Sequence, residues 1–374
     1  MTSITADDGL LTLNGTQFAL PWLRFSCPCA TCRHPASLQK IADLSPQPEA
    51  LPQAARIELS QDGRLLHITW QEQPVHYSSY RLDWLFTHTW DHPADAHLPA
   101  PVPWDAATLD SEALKWHEAA ECHAGLGAWT EDLFTHGFAL LRRTTVPELR
   151  RLLDELDPVH HTEYGRYADV SAVPDAEDLS EMSLTLTAHT DYPYRTAGPL
   201  LEFCYFVENQ AQGGEFFFLD GVKAAEDFRT RHPAWCALLV ETPVEFEQVY
   251  SSHRYLYRLR RPIITLGPDQ QIQALHFGHS HAWTWHIPPA GAADFYSAYH
   301  AFLQHLQSER YRITRRFAAG ECLAFRNTRI LHGRHAFDPA TGPRRLITAY
   351  IPWDQLEART RYHHESHTYL PPAT

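Results

Sequence analysis

Three cysteines crowd into the six residues Cys27-Pro-Cys29-Ala-Thr-Cys32, in a chain of 374 residues that has only seven cysteines in all. Thiolates at this spacing form a knuckle for a tetrahedral soft metal, and zinc then needs one more nitrogen or sulfur brought up by the fold. His76, in Val75-His76-Tyr77-Ser78, follows a hairpin-like stretch whose strand can return to the knuckle, so it is the expected fourth ligand; His34 and His88 compete with it. Four protein ligands close the coordination shell, so Cys27, Cys29, Cys32 and His76 predict a structural zinc(II).

A second constellation begins in Ala188-His189-Thr190-Asp191-Tyr192-Pro193-Tyr194. Residues two apart on an extended strand share a face, so His189 and Asp191 can offer a nitrogen and a carboxylate to one metal. With 25 histidines in the chain, the pair alone says little. His332, in Ile330-Leu331-His332-Gly333-Arg334-His335, supplies the third ligand. Two histidines and one carboxylate on one face of an octahedral ferrous ion leave three positions open, the arrangement of non-haem iron oxygenases. The pair Arg344-Arg345 follows at the start of a strand-like run, and one of these guanidiniums can hold the far carboxylate of a dicarboxylate cosubstrate whose 2-oxo acid end chelates iron. Only Lys40, Lys115 and Lys223 are lysines, so an anion clamp in this chain is expected to be arginine.

The elements that must position these groups are mainly short strands. Up to about residue 90 the chain reads as a small α+β unit: residues 17–25 alternate loosely, 56–59 and 64–70 flank the turn Gln61-Asp62-Gly63, and 80–88 suggest a short helix. Prolines at 93, 99, 101 and 103 exclude helix and predict a linker over 93–110. Residues 111–136 and 146–156 have helical periodicity around a strand at 137–141, and a loop covers 165–178. Short β-rich runs follow at 200–207, 215–219, 244–249, 262–266, 272–277, 322–325 and 346–351, with helices near 224–240 and 292–307. That pattern predicts a jelly roll or barrel with flanking helices, in a domain spanning 111–374 after a zinc-binding domain spanning 1–92.

Composition narrows the partners. A formal charge of -14 argues against nucleic acid, whose recognition needs clustered basic residues. The acidic start Met-Thr-Ser-Ile-Thr-Ala-Asp-Asp lacks the basic character of a targeting segment, no apolar run approaches a membrane span, and the scattered cysteines are no disulfide framework. A cytoplasmic protein acting on a small molecule is the expectation.

At this point the sequence resembles the Fe(II) and 2-oxoglutarate-dependent oxygenases related to taurine dioxygenase, in the branch of γ-butyrobetaine hydroxylase and trimethyllysine hydroxylase. The motifs that carry the resemblance run along nearly the whole chain: Trp22-Leu23-Arg24 through Cys32, His76-Tyr77, Asp83-Trp84-Leu85, Tyr164-Gly165-Arg166, His189 through Tyr194, Gly213-Gly214, Leu331 through Arg334, Tyr350, and Trp353-Asp354. The resemblance implies a double-stranded β-helix core, a homodimer, zinc at Cys27, Cys29, Cys32 and His76, and iron at His189, Asp191 and His332. It also implies hydroxylation of an unactivated C–H with O2 as cosubstrate and succinate and CO2 as products. Counting back from Tyr350 aligns Arg344 with the family's cosubstrate arginine, whereas counting forward from His332 selects Arg345.

The family's substrate cation sits among aromatic faces, where cation–π attraction needs no hydrogen bond. Tyr164, Tyr192 and Tyr350 match those positions. Other positions depart: Ala168 stands where an aromatic residue is usual, with Tyr167 as a neighbouring substitute; Glu181 replaces a tyrosine; and Phe216, after Glu215, replaces a hydroxyl-bearing residue. A carboxylate at Glu181 would suit a cation with hydrogen-bond donors better than a trimethylammonium. The segment 276–281 falls where the family meets the substrate's acidic end, and Trp283 and Trp285 read as core or interface residues. The expected substrate is thus a small cation resembling γ-butyrobetaine, with a trimethylammonium phosphonate or a free amine as alternatives. A non-catalytic zinc-bearing interaction protein is the reading from another class.

Overall fold

The computed structural model describes residues 3–7, 9–41, 51–91, 98–109, 114–156, 158–173, 176–196, 200–282 and 287–369. The chain divides into two compact units, one of residues 1–97 with 364–374 and one of residues 98–363.

In the first unit β1 (Ile4–Asp7), β2 (Leu10–Leu13) and β3 (Thr16–Ala19) form an antiparallel meander that leads into α1 (Leu20–Phe25), and β4 (Ala54–Leu59), β5 (Leu65–Trp70) and β6 (His76–Arg81) form a second meander before α2 (Leu82–Phe86). Alternation on β5 sends Leu66, Ile68 and Trp70 into a core completed by Leu11, Leu13, Phe18, Leu23, Tyr80 and Leu85. The loose alternation over 17–25 is therefore a strand only to Ala19, where Pro21 in the first turn starts the helix. The helix expected over 80–88 begins later, because Tyr80 and Arg81 still pair with β5.

The second unit runs β7 (Trp116–Glu118), α3 (Ala128–His136), β8 (Phe138–Arg142), α4 (Val146–Leu156), β9 (Ala168–Ser171), β10 (Leu186–His189), β11 (Leu200–Asn209), β12 (Gln212–Gly213), β13 (Phe216–Asp220), α5 (Gly221–Arg231), α6 (Pro233–Glu241), β14 (Val244–Tyr250) and β15 (Tyr255–Arg261). It continues with β16 (Ile264–Leu266), β17 (Ile272–Leu275), α7 (Pro289–Leu306), β18 (Ile313–Arg315), β19 (Cys322–Arg326), β20 (Ile330–Arg334), β21 (Phe337–Asp338), β22 (Arg344–Pro352) and the part of α8 (Trp353–Tyr369) up to residue 363. A six-stranded sheet in the order β7-β8-β19-β11-β22-β9 and a four-stranded sheet in the order β10-β20-β13-β18 hold the site, giving a strand-rich α+β fold.

Period-two alternation explains how the two sheets share one interior. On β11, Leu201, Phe203 and Tyr205 face α3 and α4, while Cys204 and Phe206 face inward; on β13, Phe216 and Phe218 face inward, and Phe217 and Leu219 face α5 to α7. Phe138, Phe325, Ile330 and Leu346 join that inner cluster. So does Trp104, in the proline-rich stretch, which donates from its indole to the His136 carbonyl. Residues 92–97 and 110–113, within or beside the expected linker, lie outside the described residues.

Several expected helices differ. Among the described residues of the run at 111–136, α-helix begins only at Ala128, because Gly125 and Gly127 adopt positive φ and β7 and a short 3-10 turn at Ala119–Glu121 precede them. The helix near 224–240 is two helices, broken at His232, with Pro233 opening the second.

Candidate active site and metal centres

Antiparallel pairing of β10 with β20 places His189 opposite His332. Gly333 permits the approach, since a Cβ there would lie 2.3 Å from Phe217 Cζ and 2.6 Å from the Leu186 carbonyl oxygen. The strand ends at His189, so Asp191 stands on a bend rather than on the strand itself. Asn327 fixes that bend: its side-chain oxygen accepts from the Asp191 amide at 2.8 Å, and its side-chain nitrogen donates to the Asp191 carbonyl at 2.9 Å. Tyr192 follows with φ of 56°, which turns the chain away.

The donor atoms are oriented one by one. His189 Nδ1 lies 2.8 Å from the Thr187 carbonyl, so it carries the proton and leaves the Nε2 lone pair free. The Tyr350 hydroxyl donates to Asp191 Oδ2 at 2.6 Å, leaving Oδ1 to a metal. That Oδ1 is 3.3 Å from His189 Nε2 and 3.8 Å from His332 Nε2. Adjacent octahedral ligands on ~2.1 Å bonds stand about 3 Å apart, so small inward movements close all three onto one ion. Burial and the neighbouring His189 hold His332 down to about 3, in the neutral form that can ligate.

Alternation on β22 separates the two arginines. Arg344 points into the cavity beside the triad, buried, with its Cζ 5.2 Å from the Phe337 ring centroid and its Nε without a hydrogen-bond partner. Burial and the nearby Arg334 push it down to about 9, which marks a desolvated cation in need of an anion. Gly214 leaves it room, since a Cβ there would sit 3.2 Å from Arg344 Nε. Arg345 faces the other way and binds Asp169 of β9 through Nε at 2.9 Å and Nη2 at 2.6 Å.

The triad and Arg344 open on one cavity of about 320 Å³. Tyr164, Glu181, Tyr192 and Tyr350 all line it, as do Ala168, Phe216, His279 and His281. Phe216 lies near-parallel to the His332 ring, with centroids 5.6 Å apart. Tyr167 does not replace the aromatic missing at Ala168: it lies outside the cavity, with its hydroxyl 3.5 Å from Asp154 and Arg150 over its face. Glu215 is outside too, near Arg316, and His276 meets Arg261. Trp283 and Trp285 lie outside the described residues.

Five further cavity residues had no role assigned from the sequence, although Tyr194 and Arg334 stand in its quoted motifs. Tyr194 and Tyr250 add aromatic walls and share a hydroxyl contact of 2.9 Å. Asp178 lines the wall beside Glu181. Arg334, two residues past His332, donates to the carbonyls of Ser180, Met182 and Leu184 and so pins the segment that carries Glu181. Glu202 is 1% exposed, with Oε1 3.8 Å from His332 Nε2. A lone carboxylate in Leu-Leu-Glu-Phe-Cys-Tyr-Phe was the one available signal for it.

In the first unit, α1 delivers Cys27, the Cys29 carbonyl accepts from the Cys32 amide to form the knuckle, and β6 starts at His76. His76 Nε2 lies 3.3, 3.7 and 3.6 Å from the sulfurs of Cys27, Cys29 and Cys32. A tetrahedral zinc with ~2.3 Å sulfur and ~2.05 Å nitrogen bonds requires about 3.6 Å, so the donor set fits zinc. Burial lowers the His76 pKa, favouring the neutral ligand. Ser78 donates to Cys27 Sγ at 3.0 Å, and Arg24, itself bound to Glu72, donates to Cys32 Sγ at 3.4 Å. His34 accepts from the Ser37 amide and His88 stacks on Trp84; neither joins the cluster.

Comparison with known sequences places the chain in a family. The model of the Taurine catabolism dioxygenase TauD, TfdA family matches residues 99–350. The chain belongs to that family. A second model, Gamma-butyrobetaine hydroxylase-like, N-terminal, matches residues 4–86. The gamma-butyrobetaine dioxygenase of Pseudomonas sp. (strain AK-1) is 29% identical over 366 residues, covering 96% of this chain and 92% of that one. The human gamma-butyrobetaine dioxygenase is 26% identical over 358 residues, covering 91% and 89%. The trimethyllysine dioxygenase of Meyerozyma guilliermondii is 23% identical over 359 residues, covering 90% and 88%. This oxygenase is therefore an Fe(II)/2-oxoglutarate-dependent dioxygenase of the γ-butyrobetaine and trimethyllysine branch, and the family implies a small-molecule substrate. Among the described residues no helix is long and apolar enough to cross a membrane.

Proposed function

We propose that this dioxygenase hydroxylates an unactivated C–H of a small organic cation. His189, Asp191 and His332 would hold Fe(II), and Arg344 would bind the far carboxylate of 2-oxoglutarate. The observation that carries the reading is the single cavity in which three convergent donors face a buried guanidinium without a carboxylate partner among the described residues. When bound, iron with 2-oxoglutarate and O2 supplies the oxidising chemistry: one oxygen atom enters the substrate, and the other leaves in succinate, with CO2 released.

The chain's own residues do the positioning. Arg344 offers a charge-assisted contact that orients the cosubstrate. Tyr350 and Asn327 hold Asp191 so that one oxygen stays with the metal and the backbone does not shift. Phe216 and Phe325 pack on His332 and exclude water from its side of the site. Tyr164, Tyr192, Tyr194 and Tyr250 present faces or edges suited to a cation, and Asp178 and Glu181 make the wall negative. A γ-butyrobetaine-like quaternary ammonium is one candidate; a free amine or a trimethylammonium phosphonate is another.

We also read the two-sheet core as a double-stranded β-helix, and residues 1–92 as a domain held by structural zinc. The test is succinate formation from 2-oxoglutarate when small amines and betaines are added anaerobically and oxygen is then admitted. His189→Ala or Asp191→Ala should abolish turnover. Full turnover in either variant would remove the iron site as drawn.

A further inference from the structure

Asp178 and Glu181 stand on one short turn, Leu179–Glu181, that Asp178 caps by accepting from the Ser180 amide at 2.8 Å. Both carboxylates line the cavity that contains the metal donors. The turn is built to keep them there: Arg334, 3% exposed, spends its guanidinium on carbonyls of the segment, at 3.0 Å from Ser180, 2.5 Å from Met182 and 3.1 Å from Leu184. Neither carboxylate has an ion-pair partner within 4 Å among the described residues, and Arg334 attracts Asp178 only from beyond that distance.

Two further polar atoms in the same cavity lack partners. The buried Tyr164 hydroxyl, within electrostatic reach of Tyr250, Asp178 and Glu181, has no partner in hydrogen-bonding geometry. Neither does Oε2 of the fully buried Glu202. Burial and Asp178 raise the Glu181 pKa, as expected of a carboxylate removed from water beside another. A quaternary ammonium would neutralise this wall by charge alone. It carries no N–H, so every desolvated acceptor would stay unsatisfied when water is displaced. Aromatic faces suffice for such an ion, and carboxylates aimed at it add little that is specific.

We propose that the cation accepted here bears N–H donors, as a protonated amine or a guanidinium does, and that Asp178 and Glu181 bind it through charge-assisted hydrogen bonds. Tyr164 accepts or donates one more, and the aromatic walls cover the carbon chain. This rests on the reading of the cavity as the substrate site, and it makes Glu181 the residue that sets specificity against methylated nitrogen.

The experiment is equilibrium binding by calorimetry to the full-length protein loaded with Fe(II) and 2-oxoglutarate under anaerobic conditions. The probes share one carbon chain: n-butylamine, n-butylguanidine and n-butyltrimethylammonium. Wild type should bind at least one of the N–H cations about tenfold tighter than the trimethyl compound, and the better of the two identifies the head group. Glu181→Gln and Asp178→Asn should each weaken that cation about tenfold, with 2-oxoglutarate affinity retained as evidence of an intact site. Glu181→Tyr should reverse the preference. Equal or tighter binding of the trimethyl compound to wild type overturns the proposal, as does absence of binding by all three. Oxygen admission to the same samples reports succinate, so failure of the oxygenase reading appears as lost turnover whatever the binding order.

Discussion

Arg344 and Arg345 leave opposite faces of one strand and meet opposite environments. Arg344 enters the cavity, 7% exposed and without a carboxylate partner among the described residues, while Arg345 lies outside in a bidentate pair with Asp169. A buried guanidinium of this kind is costly unless an anion joins it, and on the proposed function that anion is the dicarboxylate cosubstrate.

Arg344→Ala should therefore raise the 2-oxoglutarate requirement by about 30-fold or more, the equivalent of ~2 kcal/mol or more for a lost charge-assisted contact in a desolvated site. Arg345→Ala removes an exposed pair and should change it less than about threefold. Measurement of KM for 2-oxoglutarate in both variants decides; equal effects would move the cosubstrate away from Arg344.

The Tyr350 hydroxyl holds Asp191 Oδ2 at 2.6 Å. Tyr350→Phe keeps the ring that lies 5.1 Å from Tyr192 but frees that oxygen. Affinity for Fe(II), read by anaerobic titration, should fall about tenfold or more, as expected when an outer partner of a metal ligand is removed. Unchanged affinity would reduce Tyr350 to a wall of the cavity.

Gly333 neighbours His332, and a Cβ there would run into Phe217 and the Leu186 carbonyl. Gly333→Ala should force β10 away from β20, with overpacking costing about 1–3 kcal/mol and lowering Tm by several degrees. Iron binding should weaken with it, because the same pairing sets His189 opposite His332. Gly291→Ala, where nothing lies within 4 Å of the added Cβ, is the matched control and should melt at or above wild type.

Most of the candidate metal donors were legible because their signals are local, whereas His76 and His332 lie far along the chain and were reached only through the strands expected to return them. Cys27, Cys29 and Cys32 lie within one turn of chain, and His189 with Asp191 span three residues. Arg344 could be narrowed only to a pair, since choosing a face of β22 requires its pairing with β11 and β9. Glu202, Asp178 and Tyr250 come from segments separate from those of the metal donors in sequence, and their meeting with Arg334 and Tyr194, which neighbour those donors, depends on sheet registers that no local pattern states. Apolar strands such as β11, β13 and β19 stood out because both of their faces are buried. β9, β15 and α8 did not, being polar or half-exposed: β15 reads Tyr-Leu-Tyr-Arg-Leu-Arg-Arg with no buried residue.

The zinc reading gives the last prediction. Protein purified without added metal should hold about one zinc per chain, and Cys29→Ser or His76→Ala should lose it together with solubility, because the first unit has a small core that a closed metal site would reinforce. Arg24→Ala and Ser78→Ala keep all four ligands but remove donors to the Cys32 and Cys27 sulfurs, so zinc should pass to a chelator about 10- to 100-fold faster than in wild type. Zinc retained at one per chain in His76→Ala would sink the fourth-ligand assignment. Unchanged release in both outer variants would mean that four ligands alone hold the metal, and that Arg24 serves only its bidentate pair with Glu72.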